Sequence, residues 1–213
     1  MKIFIPAREG SKGLPYKNRK LLGHTLSMIP DSYKSSVIIS TNDQKIYDRA
    51  ILDGFNAVWR EDSLSQDEVS IKQVLSSLIK NENISCKETV IMLYLTYPER
   101  KWEEVEKILA FYLEHGATSL LCKKEIKSHP YLCMVESGDG KHGTQLVSHN
   151  LYRRQDYPIC FEISHYVSIF QANEVQNLND NLYNEKTFFY KIEDKIDVDL
   201  PKDLEFYYDK HYC

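Results

Sequence analysis

The sequence predicts an α/β protein whose mostly parallel, Rossmann-like sheet carries helices on both faces. Short, branched apolar runs suit strands that are buried on both sides, and amphipathic helical segments alternate with them up to about residue 122. The chain has 213 residues, of which 42% are hydrophobic and 27% are charged. That length and composition are typical of one soluble domain with its own core, so we expect a single domain over residues 1–213.

The predicted elements of this first part follow in a regular order. Strands are expected at residues 3–5, 37–40, 57–59, 89–95 and 118–122. Helices are expected near residues 26–29, after a cap at 41–43, from 65–67 onward, and at 102–113. The apolar residues expected to face the core are Ile46, Ala50 and Ile51 in the second helix and Val69, Val74, Leu75 and Leu78 in the third.

The pattern changes after residue 122. Residues 123–150 carry scattered Gly, Ser and His with only brief apolar runs, which predicts a β-rich excursion from the main sheet. Return strands are expected at 166–170 and 188–192, and Pro201 should begin a final helix. The excursion holds more apolar side chains than an exposed loop should carry: Tyr131, Leu132, Met134, Tyr157 and Phe161.

Charge and composition exclude several classes of partner. A net charge of −4 gives no general attraction to nucleic acid or to anionic membranes. No apolar run approaches the roughly 20 residues of a membrane span, and Pro6 and Arg8 cut the N-terminal apolar segment too short for a signal peptide. The five Cys residues are odd in number and widely spaced, which argues against a disulfide framework or a zinc site. We therefore expect a cytoplasmic protein with no nucleic-acid or membrane partner.

The stretch from Ile3 to Leu21 is the most informative part of the chain. A buried strand is followed by a loop whose small residues let backbone N–H groups approach an anion. The loop also has a dense positive charge, from Arg8, Lys12, Lys17, Arg19 and Lys20. Such a loop at the carboxyl end of a parallel strand suits a polyphosphate, although a solvated basic surface loop is the alternative. It matches neither a Walker loop, since Pro15 stands where the Gly-Lys-Ser/Thr ending should begin, nor a complete dinucleotide fingerprint.

A second candidate site is Asp197-Val198-Asp199. In an extended segment side chains alternate, so both carboxylates would point to the same face and could hold Mg²⁺ or Mn²⁺. The alternative is that Asp199 caps the helix that begins at Pro201.

Two patterns in these stretches are specific enough to suggest a family. The pattern Ala7-Arg8-x-Gly-Ser-Lys-Gly-Leu-Pro-x-Lys17-Asn18 resembles the signature of the cytidylyltransferases that make CMP-sialic acid and related CMP-nonulosonates. The segment 196–204 is similar to that family's Ile-Asp-Ile-Asp-Thr-Pro-Glu-Asp-Leu ending. The resemblance covers nearly the whole chain but is specific only at its two ends.

The resemblance implies an enzyme that transfers CMP from CTP to a sugar acid and releases pyrophosphate. It implies catalytic roles for Arg8, Lys17, Asp197 and Asp199, with Mg²⁺ or Mn²⁺ held by Asp197 and Asp199. The nucleotide-binding residues that it implies are Ala7, Arg8, Ser11, Lys12, Gly13, Lys17, Asn18, Arg60 and Ser70. It also implies a homodimer formed through an extension at about residues 123–171.

The acceptor side of the resemblance is weaker. Arg154 and Gln155 match residues that reach toward the sugar acid in the family, but Arg153-Arg154 is equally well read as a solvated surface pair. The family's Gln in the active site is Tyr94 here. Its Arg-Pro-Asn-Gly is replaced by the segment 162–165, which begins with Glu162 and ends with Ser164-His165. The sequence therefore predicts an acceptor other than N-acetylneuraminic acid, and it identifies no general base.

Two other functions share parts of these patterns. Many sugar-nucleotide-dependent glycosyltransferases use an Asp-x-Asp metal motif, although it lies in the middle of their chains and they lack this basic loop. A non-catalytic nucleotide-binding relative is the second alternative, because the acceptor residues are altered.

Overall fold

The structure is a computed structural model that describes residues 1–212, and Cys213 lies outside the described residues. The strands are β1 (Lys2–Pro6), β2 (Val37–Thr41), β3 (Asn56–Trp59), β4 (Thr89–Met92), β5 (Ser119–Glu125), β6 (Met134–Glu136), β7 (Gly143–Gln145), β8 (Phe161–Gln171) and β9 (Phe188–Lys191). The α-helices are α1 (Lys17–Met28), α2 (Gln44–Leu52), α3 (Ile71–Asn81), α4 (Trp102–Glu114) and α5 (Pro201–Tyr212).

Seven strands form one sheet in the order β3-β2-β1-β4-β8-β5-β9. All neighbours pair in parallel except β8, which lies antiparallel between β4 and β5. Successive side chains of β1 point to opposite faces of the sheet: Ile3 and Ile5 pack into one core cluster and Phe4 packs into the other. Buried residues of α1, α2, α4 and α5 cover the first face, and those of α3 cover the second. The predicted mostly parallel sheet with helices on both faces is therefore confirmed.

Two helices differ from the prediction. The helix expected to include residues 26–29 is longer than predicted and runs from Lys17 to Met28, because Leu21, Leu22 and Leu26 form one buried stripe. The third begins at Ile71 rather than at 65–67, because Ser70 and Gln73 form a reciprocal capping box there.

Individual core assignments were mostly correct. Val74, Leu75 and Leu78 are buried as predicted. Ile51 was wrongly placed, since its side chain is 51% exposed while Ile46 and Ala50 alone fill that face of α2. The fourth strand ends at Met92 rather than at residue 95.

The excursion predicted after residue 122 lies between β5 and β8. It contains a two-stranded antiparallel sheet in which Val135 of β6 pairs with Thr144 of β7. Strand β8 begins five residues earlier than the predicted 166, at Phe161, where it pairs with Glu125. Among residues 1–212, no helix combines the length and the apolar character needed to cross a membrane.

Candidate nucleotide and metal site

The carboxyl ends of β1, β2 and β4 meet at one edge of the sheet, and the basic loop leaves β1 at this edge. Its path is fixed by residues after β2: the N–H of Ala7 donates to the carbonyl of Ser40 at 2.9 Å, and the hydroxyl of Thr41 donates to the carbonyl of Ala7 at 2.6 Å. The N–H of Glu9 donates to the Asn42 side chain at 2.7 Å. The segment 40–42 thus supports the loop.

Helix α1 begins at the end of this loop. Lys17 is its first residue, Tyr16 before it has the left-handed φ of 55°, and no side chain caps the helix or places an acid in its first turn. The positive end of the helix dipole is therefore uncompensated and suits an anion. The amide of Asn18 donates to the carbonyl of Arg8 at 2.9 Å, which ties the helix start to the loop.

A cleft of about 250 Å³ opens between the loop and the segments that follow β3 and β4. Its lining combines cationic, polar and apolar side chains: Pro6, Arg8, Gly10, Ser11, Lys17, Asn18, Arg60, Leu64, Gln66, Asp67, Val69, Ile71, Val74, Tyr94, Leu95 and Thr96. Five of the predicted nucleotide residues are in this lining: Arg8, Ser11, Lys17, Asn18 and Arg60. The cleft offers cations at its loop end and apolar side chains at its α3 end.

The other four predicted nucleotide residues are not in this lining. Ala7 is buried at the base of the loop, and Gly13 packs against the chain at Asp199. Ser70 accepts the N–H of Gln73 as the cap of α3, so its hydroxyl is engaged within the protein. The exposed Lys12 pairs with Asp67.

Asp67 joins the basic loop to the segment after β3. One carboxylate oxygen accepts from Arg8 Nη2 at 2.7 Å and the other lies 2.7 Å from Lys12 Nζ, while Arg8 Nη1 donates to the carbonyl of Ser65 at 3.1 Å. Hydrogen bonds from Lys12 and Arg8 lower the pKa of Asp67, and the bond to Asp67 raises the pKa of Lys12. Asp67 therefore forms ion pairs with two cations of the loop. Arg19 is engaged separately, by Asp43 and Glu9.

Arg60 supplies a buried cation to the cleft. Its guanidinium donates to the Ser40 hydroxyl at 3.1 Å and to the Ser40 carbonyl at 2.9 Å. Burial lowers its pKa to about 10, so it stays cationic at neutral pH. Because these two partners are neutral, its charge is available to an anionic ligand.

Asp197 and Asp199 lie in an irregular segment between β9 and α5, beside the end of β4. Val198 between them is fully buried, and its N–H donates to the carbonyl of Thr96 at 2.8 Å. Burial raises the pKa of Asp197 despite hydrogen bonds from the Thr96 and Tyr97 side chains, and the charge of Asp199 contributes to the same shift. The two carboxylates are thus close enough to interact.

The position of Asp199 joins the two ends of the chain. Its carboxylate accepts from Lys17 Nζ at 2.6 Å. Its own N–H and that of Leu200 donate to Asp203 Oδ2, at 3.1 and 2.8 Å. Asp203, rather than Asp199, therefore accepts the free N–H groups before α5, and Asp199 faces the basic loop.

Acidic residues of the neighbouring loop and helix hold this segment in place. The N–H of Ile196 donates to Glu99 Oε2 at 3.2 Å, and Lys195 donates to Glu104 at 2.6 Å. Glu99 also accepts from Lys210 and His211 of α5. Only 10% of the Glu99 side chain is exposed, so these bonds attach the segment firmly to the sheet edge.

The predicted acceptor residues are divided between the cleft and the excursion. Tyr94 lines the cleft with His165 packed edge-on against it, at 5.7 Å between ring centroids, and burial lowers the pKa of His165. Arg154 and Gln155 are exposed in a short turn and are not among the lining residues. Glu162 is 54% exposed in its side chain and lies 3.4 Å from Lys124, also away from the lining. In one chain, therefore, only Tyr94 of the predicted acceptor set lines the cleft.

Sequence reasoning missed Thr96 and Tyr97; Thr96 lines the cleft, and its carbonyl accepts the N–H of Val198 between the two aspartates. Their position directly after a buried strand was the available signal, because parallel strands present their functional residues at their carboxyl ends.

Comparison with known proteins decides the family. A model of the cytidylyltransferase family matches residues 3–209. The chain belongs to the cytidylyltransferase family. Among curated relatives, the CMP-N,N'-diacetyllegionaminic acid synthase of Legionella pneumophila is 30% identical over 217 residues, covering 93% of this chain and 90% of the relative. The N-acylneuraminate cytidylyltransferase of Streptococcus agalactiae serotype V is 27% identical over 94% of this chain, and the match spans 50% of that relative. The chain thus spans half the length of that streptococcal cytidylyltransferase.

Solved structures agree with this membership at the level of the fold. A CMP:2-keto-3-deoxy-manno-octonic acid synthetase complexed with CTP superimposes with a TM-score of 0.68 at 15% identity, over 98% of this chain and 97% of that one. A 4-diphosphocytidyl-2C-methyl-D-erythritol synthase from Anaerococcus prevotii gives a TM-score of 0.63 at 14% identity, over 96% and 93%. The chain therefore shares its fold with both of these synthases.

Proposed function

We propose that this chain transfers CMP from CTP to a sugar acid and releases pyrophosphate. The observation that carries the proposal is the meeting of the basic loop with the Asp pair, through the 2.6 Å contact between Lys17 and Asp199. Triphosphate-binding cations and metal-binding carboxylates are the two parts that a nucleotidyl transfer requires. Here Lys17 lines the cleft and pairs with Asp199, while Asp197 and Asp199 themselves are not among the lining residues.

The triphosphate would lie along the basic loop. Arg8, Lys12 and Lys17 supply charge, Ser11 supplies a hydroxyl, and the uncapped start of α1 adds a favourable dipole. In the protein without ligand these cations pair with Asp67 and Asp199, so phosphate oxygens would replace carboxylate oxygens. Arg60 then adds the buried cation within the cleft.

The Asp pair fits a magnesium or manganese ion. Among residues 1–212 no group of three or more His, Cys, Asp or Glu side chains forms a metal cluster. A pair of carboxylates next to a triphosphate loop is nevertheless how Mg²⁺ is usually held, with phosphate oxygens and water as the remaining ligands. When bound, such an ion would offset negative charge on the α-phosphate and lower the pKa of the attacking hydroxyl. Asp197 and Asp199 would hold the ion, and Lys17 would exchange its ion pair with Asp199 for one with a phosphate.

In the transfer itself an acceptor hydroxyl forms a bond to the α-phosphorus while the bond to pyrophosphate breaks. The chain orients the reactants in line and stabilises the leaving pyrophosphate through Arg8 and Lys17. We propose a nonulosonate as the acceptor, because the relatives from Legionella and Streptococcus are named for CMP-activated sugars of this class. Arg154 and Gln155 would bind it from a second protomer, since they lie outside the cleft of their own chain.

A homodimer would form through the extension at about residues 123–171. Its exposed apolar side chains support this proposal: Leu132, Met134, Leu146, Tyr152 and Ile159 are each at least 50% exposed. Ile159→Lys should give a monomer in light scattering at micromolar concentration, whereas Leu52→Lys, at an equally exposed residue of α2, should remain dimeric. If the wild-type protein is itself a monomer at this concentration, the proposed dimer is excluded.

We further propose a cytoplasmic location, in keeping with the free thiols of Cys86, Cys122, Cys133 and Cys160.

Pyrophosphate release tests the function. The protein with Mg²⁺, CTP and a panel of acidic sugars should release pyrophosphate, and ATP or GTP in place of CTP should be poor substrates. A preference for ATP or GTP would overturn the cytidine assignment. Release of a nucleoside diphosphate from a sugar nucleotide, without pyrophosphate release from CTP, would instead indicate a glycosyltransferase.

A further inference from the structure

Aromatic rings pack against one another in the extension between β5 and β8. They belong to His129, Tyr131, His149 and Tyr157, and we call them the ring cluster. Tyr131 stacks on His149 with 4.3 Å between ring centroids and 21° between planes. The His129 ring lies 5.0 Å from Tyr131 and 4.9 Å from Tyr157. All of these rings are half-buried, although most residues between them are exposed, so the rings shield one another.

Backbone groups hold both histidines of the ring cluster at both ring nitrogens. The N–H of Tyr131 donates to His129 Nδ1 at 3.2 Å, and His129 Nε2 lies 2.9 Å from the carbonyl oxygen of Pro158. In the same way, the N–H of Leu151 donates to His149 Nδ1 at 3.2 Å, and His149 Nε2 lies 3.0 Å from the carbonyl oxygen of Tyr131. The two rings therefore connect chain segments that are 29 and 18 positions apart in the sequence.

These contacts determine where each ring carries its proton. A backbone N–H can only donate, so each Nδ1 must accept and carries no proton. A carbonyl oxygen can only accept, so each Nε2 must carry a proton and donate it. His129 and His149 are therefore both neutral. A second proton, which histidine takes up between about pH 5 and 8, would place two donors against each other at Nδ1, and the ring would have to turn away.

The surroundings of the two rings offer no carboxylate that would favour a charged histidine. Among residues 1–212, the histidines that pair with a carboxylate are His142 and His211. Asp156, in the turn nearest to the rings, is engaged by Arg153 at 2.9 and 3.0 Å. The other titratable side chains that face the rings are two phenols and a thiol: Tyr131, Tyr157 and Cys133. The neutral form of each ring is therefore favoured by its backbone partners.

The two rings differ in what a second proton would do. His149 stacks face-to-face on Tyr131, and a cation is favoured over the face of a phenol ring, which offsets part of the loss at Nδ1. His129 stands at 89° to Tyr131 and lacks this stacking. It is also the ring that bonds to Pro158. Protonation should therefore act first on His129 and break its bond to Pro158.

Both histidines bind next to the short turn Arg154–Asp156, which carries the two predicted acceptor residues of the extension. His149 accepts from Leu151 on the N-terminal side of this turn, and His129 donates to Pro158 on its C-terminal side. The residues of the turn are themselves exposed, so they contribute little packing of their own. The ring cluster thus fixes the turn from both sides.

We propose that His129 and His149 are positioning residues, whose neutral rings hold the turn Arg154–Asp156 in place for the acceptor, and that protonation of His129 releases this turn. The inference rests on the acceptor role given to Arg154 and Gln155 in the proposed function. Neither histidine needs to touch the substrate. Because the basic loop lies elsewhere in the chain, the KM for the acceptor should change while the KM for CTP does not.

Nitrogen NMR of protein labelled with ¹⁵N-histidine tests the protonation state directly. At about pH 7.5, the signals of His129 and His149, assigned with His129→Gln and His149→Gln, should show a proton on Nε2 and none on Nδ1. A proton on Nδ1 of either ring would overturn the hydrogen bonds on which the inference is built.

Steady-state kinetics test the positioning role. At about pH 7.5, His129→Ala should raise the acceptor KM about 2- to 10-fold, as the loss of one hydrogen bond predicts, and leave the KM for CTP unchanged. His129→Gln keeps a donor for Pro158 that does not titrate, so its acceptor KM should stay near that of the wild type. At about pH 5.5 the acceptor KM of the wild type should rise, while that of His129→Gln should not. His142→Ala, at an exposed histidine of the same extension, is the matched control and should behave as the wild type.

The outcomes separate the inference from the function on which it rests. If Arg154→Ala raises the acceptor KM and His129→Ala does not, the positioning role is wrong and the proposed acceptor site stands. If neither variant changes the acceptor KM, although His129→Ala speeds hydrogen exchange in residues 153–158, the proposed acceptor site is wrong and the rings only hold the turn. If the acceptor KM of the wild type rises at low pH no more than that of His129→Gln, protonation of His129 does not release the turn. Circular dichroism confirms that the compared variants are folded.

Discussion

Gly13 and the carbonyl oxygen of Asp199 lie so close together that a Cβ atom at position 13 would be 2.5 Å from that oxygen. Residue 13 belongs to the basic loop and residue 199 to the Asp pair, so this approach brings the two candidate sites together. A backbone carbonyl oxygen, unlike the end of a flexible side chain, cannot move away without a shift of the main chain. Glycine is therefore required at this position for the site to be complete.

Gly13→Ala should separate the loop from the Asp segment. We expect a loss of about 1–3 kcal/mol in the free energy of unfolding, together with weaker Mn²⁺ binding in the presence of CTP. Gly23→Ala is the matched control, because a Cβ at that helical position meets no atom within 4 Å. It should stabilise α1 by about 0.5–1 kcal/mol. Urea denaturation measures the change in unfolding free energy for both variants. A fully stable, active Gly13→Ala variant would show that the close contact between residue 13 and the Asp199 carbonyl is not needed.

Asp199→Asn should preserve the fold and reduce turnover by about 10²-fold or more. The side chain is 63% exposed and its recorded partner is Lys17, so the fold depends little on its charge. Asp209→Asn in α5, also exposed, is the charge-matched control and should keep normal turnover. If Asp199→Asn kept normal activity and metal dependence, Asp199 would have no metal role.

Asp67→Asn should tighten triphosphate binding. Asp67 bonds Arg8 and Lys12 at 2.7 Å each, and the triphosphate competes for the same cations. Removing the carboxylate should lower the Kd for CTP a few-fold and make it more sensitive to salt, because more free cations then face the ligand. Calorimetry at two ionic strengths measures this. Asp62→Asn, on the same segment, should leave the Kd unchanged, and weaker CTP binding by Asp67→Asn would show that Asp67 instead preorganises the loop.

Glu99→Gln should destabilise the protein in a pH-dependent way. Burial alone would raise the pKa of Glu99, but Lys210, His211 and the N–H of Ile196 together lower it. A lowered folded pKa means stability that is present above the unfolded value, near 4.5, and is lost as the pH falls through the folded value. The difference in unfolding free energy between wild type and Glu99→Gln should therefore be largest near pH 7 and shrink below about pH 4.5. A difference that does not change with pH would contradict this.

N-acetylneuraminic acid should not be the preferred acceptor. Tyr94 and His165 form a wall beside the cleft, and Tyr94 replaces an amide that offers both a donor and an acceptor. Glu162, which stands where the related family has Arg, gives no support to this prediction within one chain, because it lies outside the lining and close to Lys124. Values of kcat/KM across N-acetylneuraminic acid, other nonulosonates and shorter sugar acids decide the matter. A clear preference for N-acetylneuraminic acid would show that Tyr94 does not select the acceptor.

The sequence alone was sufficient for the mostly parallel sheet, and it singled out the basic loop and the Asp pair as candidate sites. These depend on local patterns: branched apolar runs, small residues among cations, and alternating carboxylates, each readable within about ten residues. Helix starts were less accurate. The start of α1 at Lys17 depends on a left-handed Tyr16, and that of α3 on the reciprocal cap of Ser70 and Gln73, so both are decided by local geometry that apolar periodicity does not report.

Only the tertiary structure decided what each polar side chain faces. Asp199 pairs with Lys17 across 182 positions, Asp67 pairs with Arg8 and Lys12, and Val198 donates to the carbonyl of Thr96. These partners come from different strand ends that the sheet order brings to one edge. No local pattern encodes such pairing, because it depends on the order of strands and on where each chain segment returns.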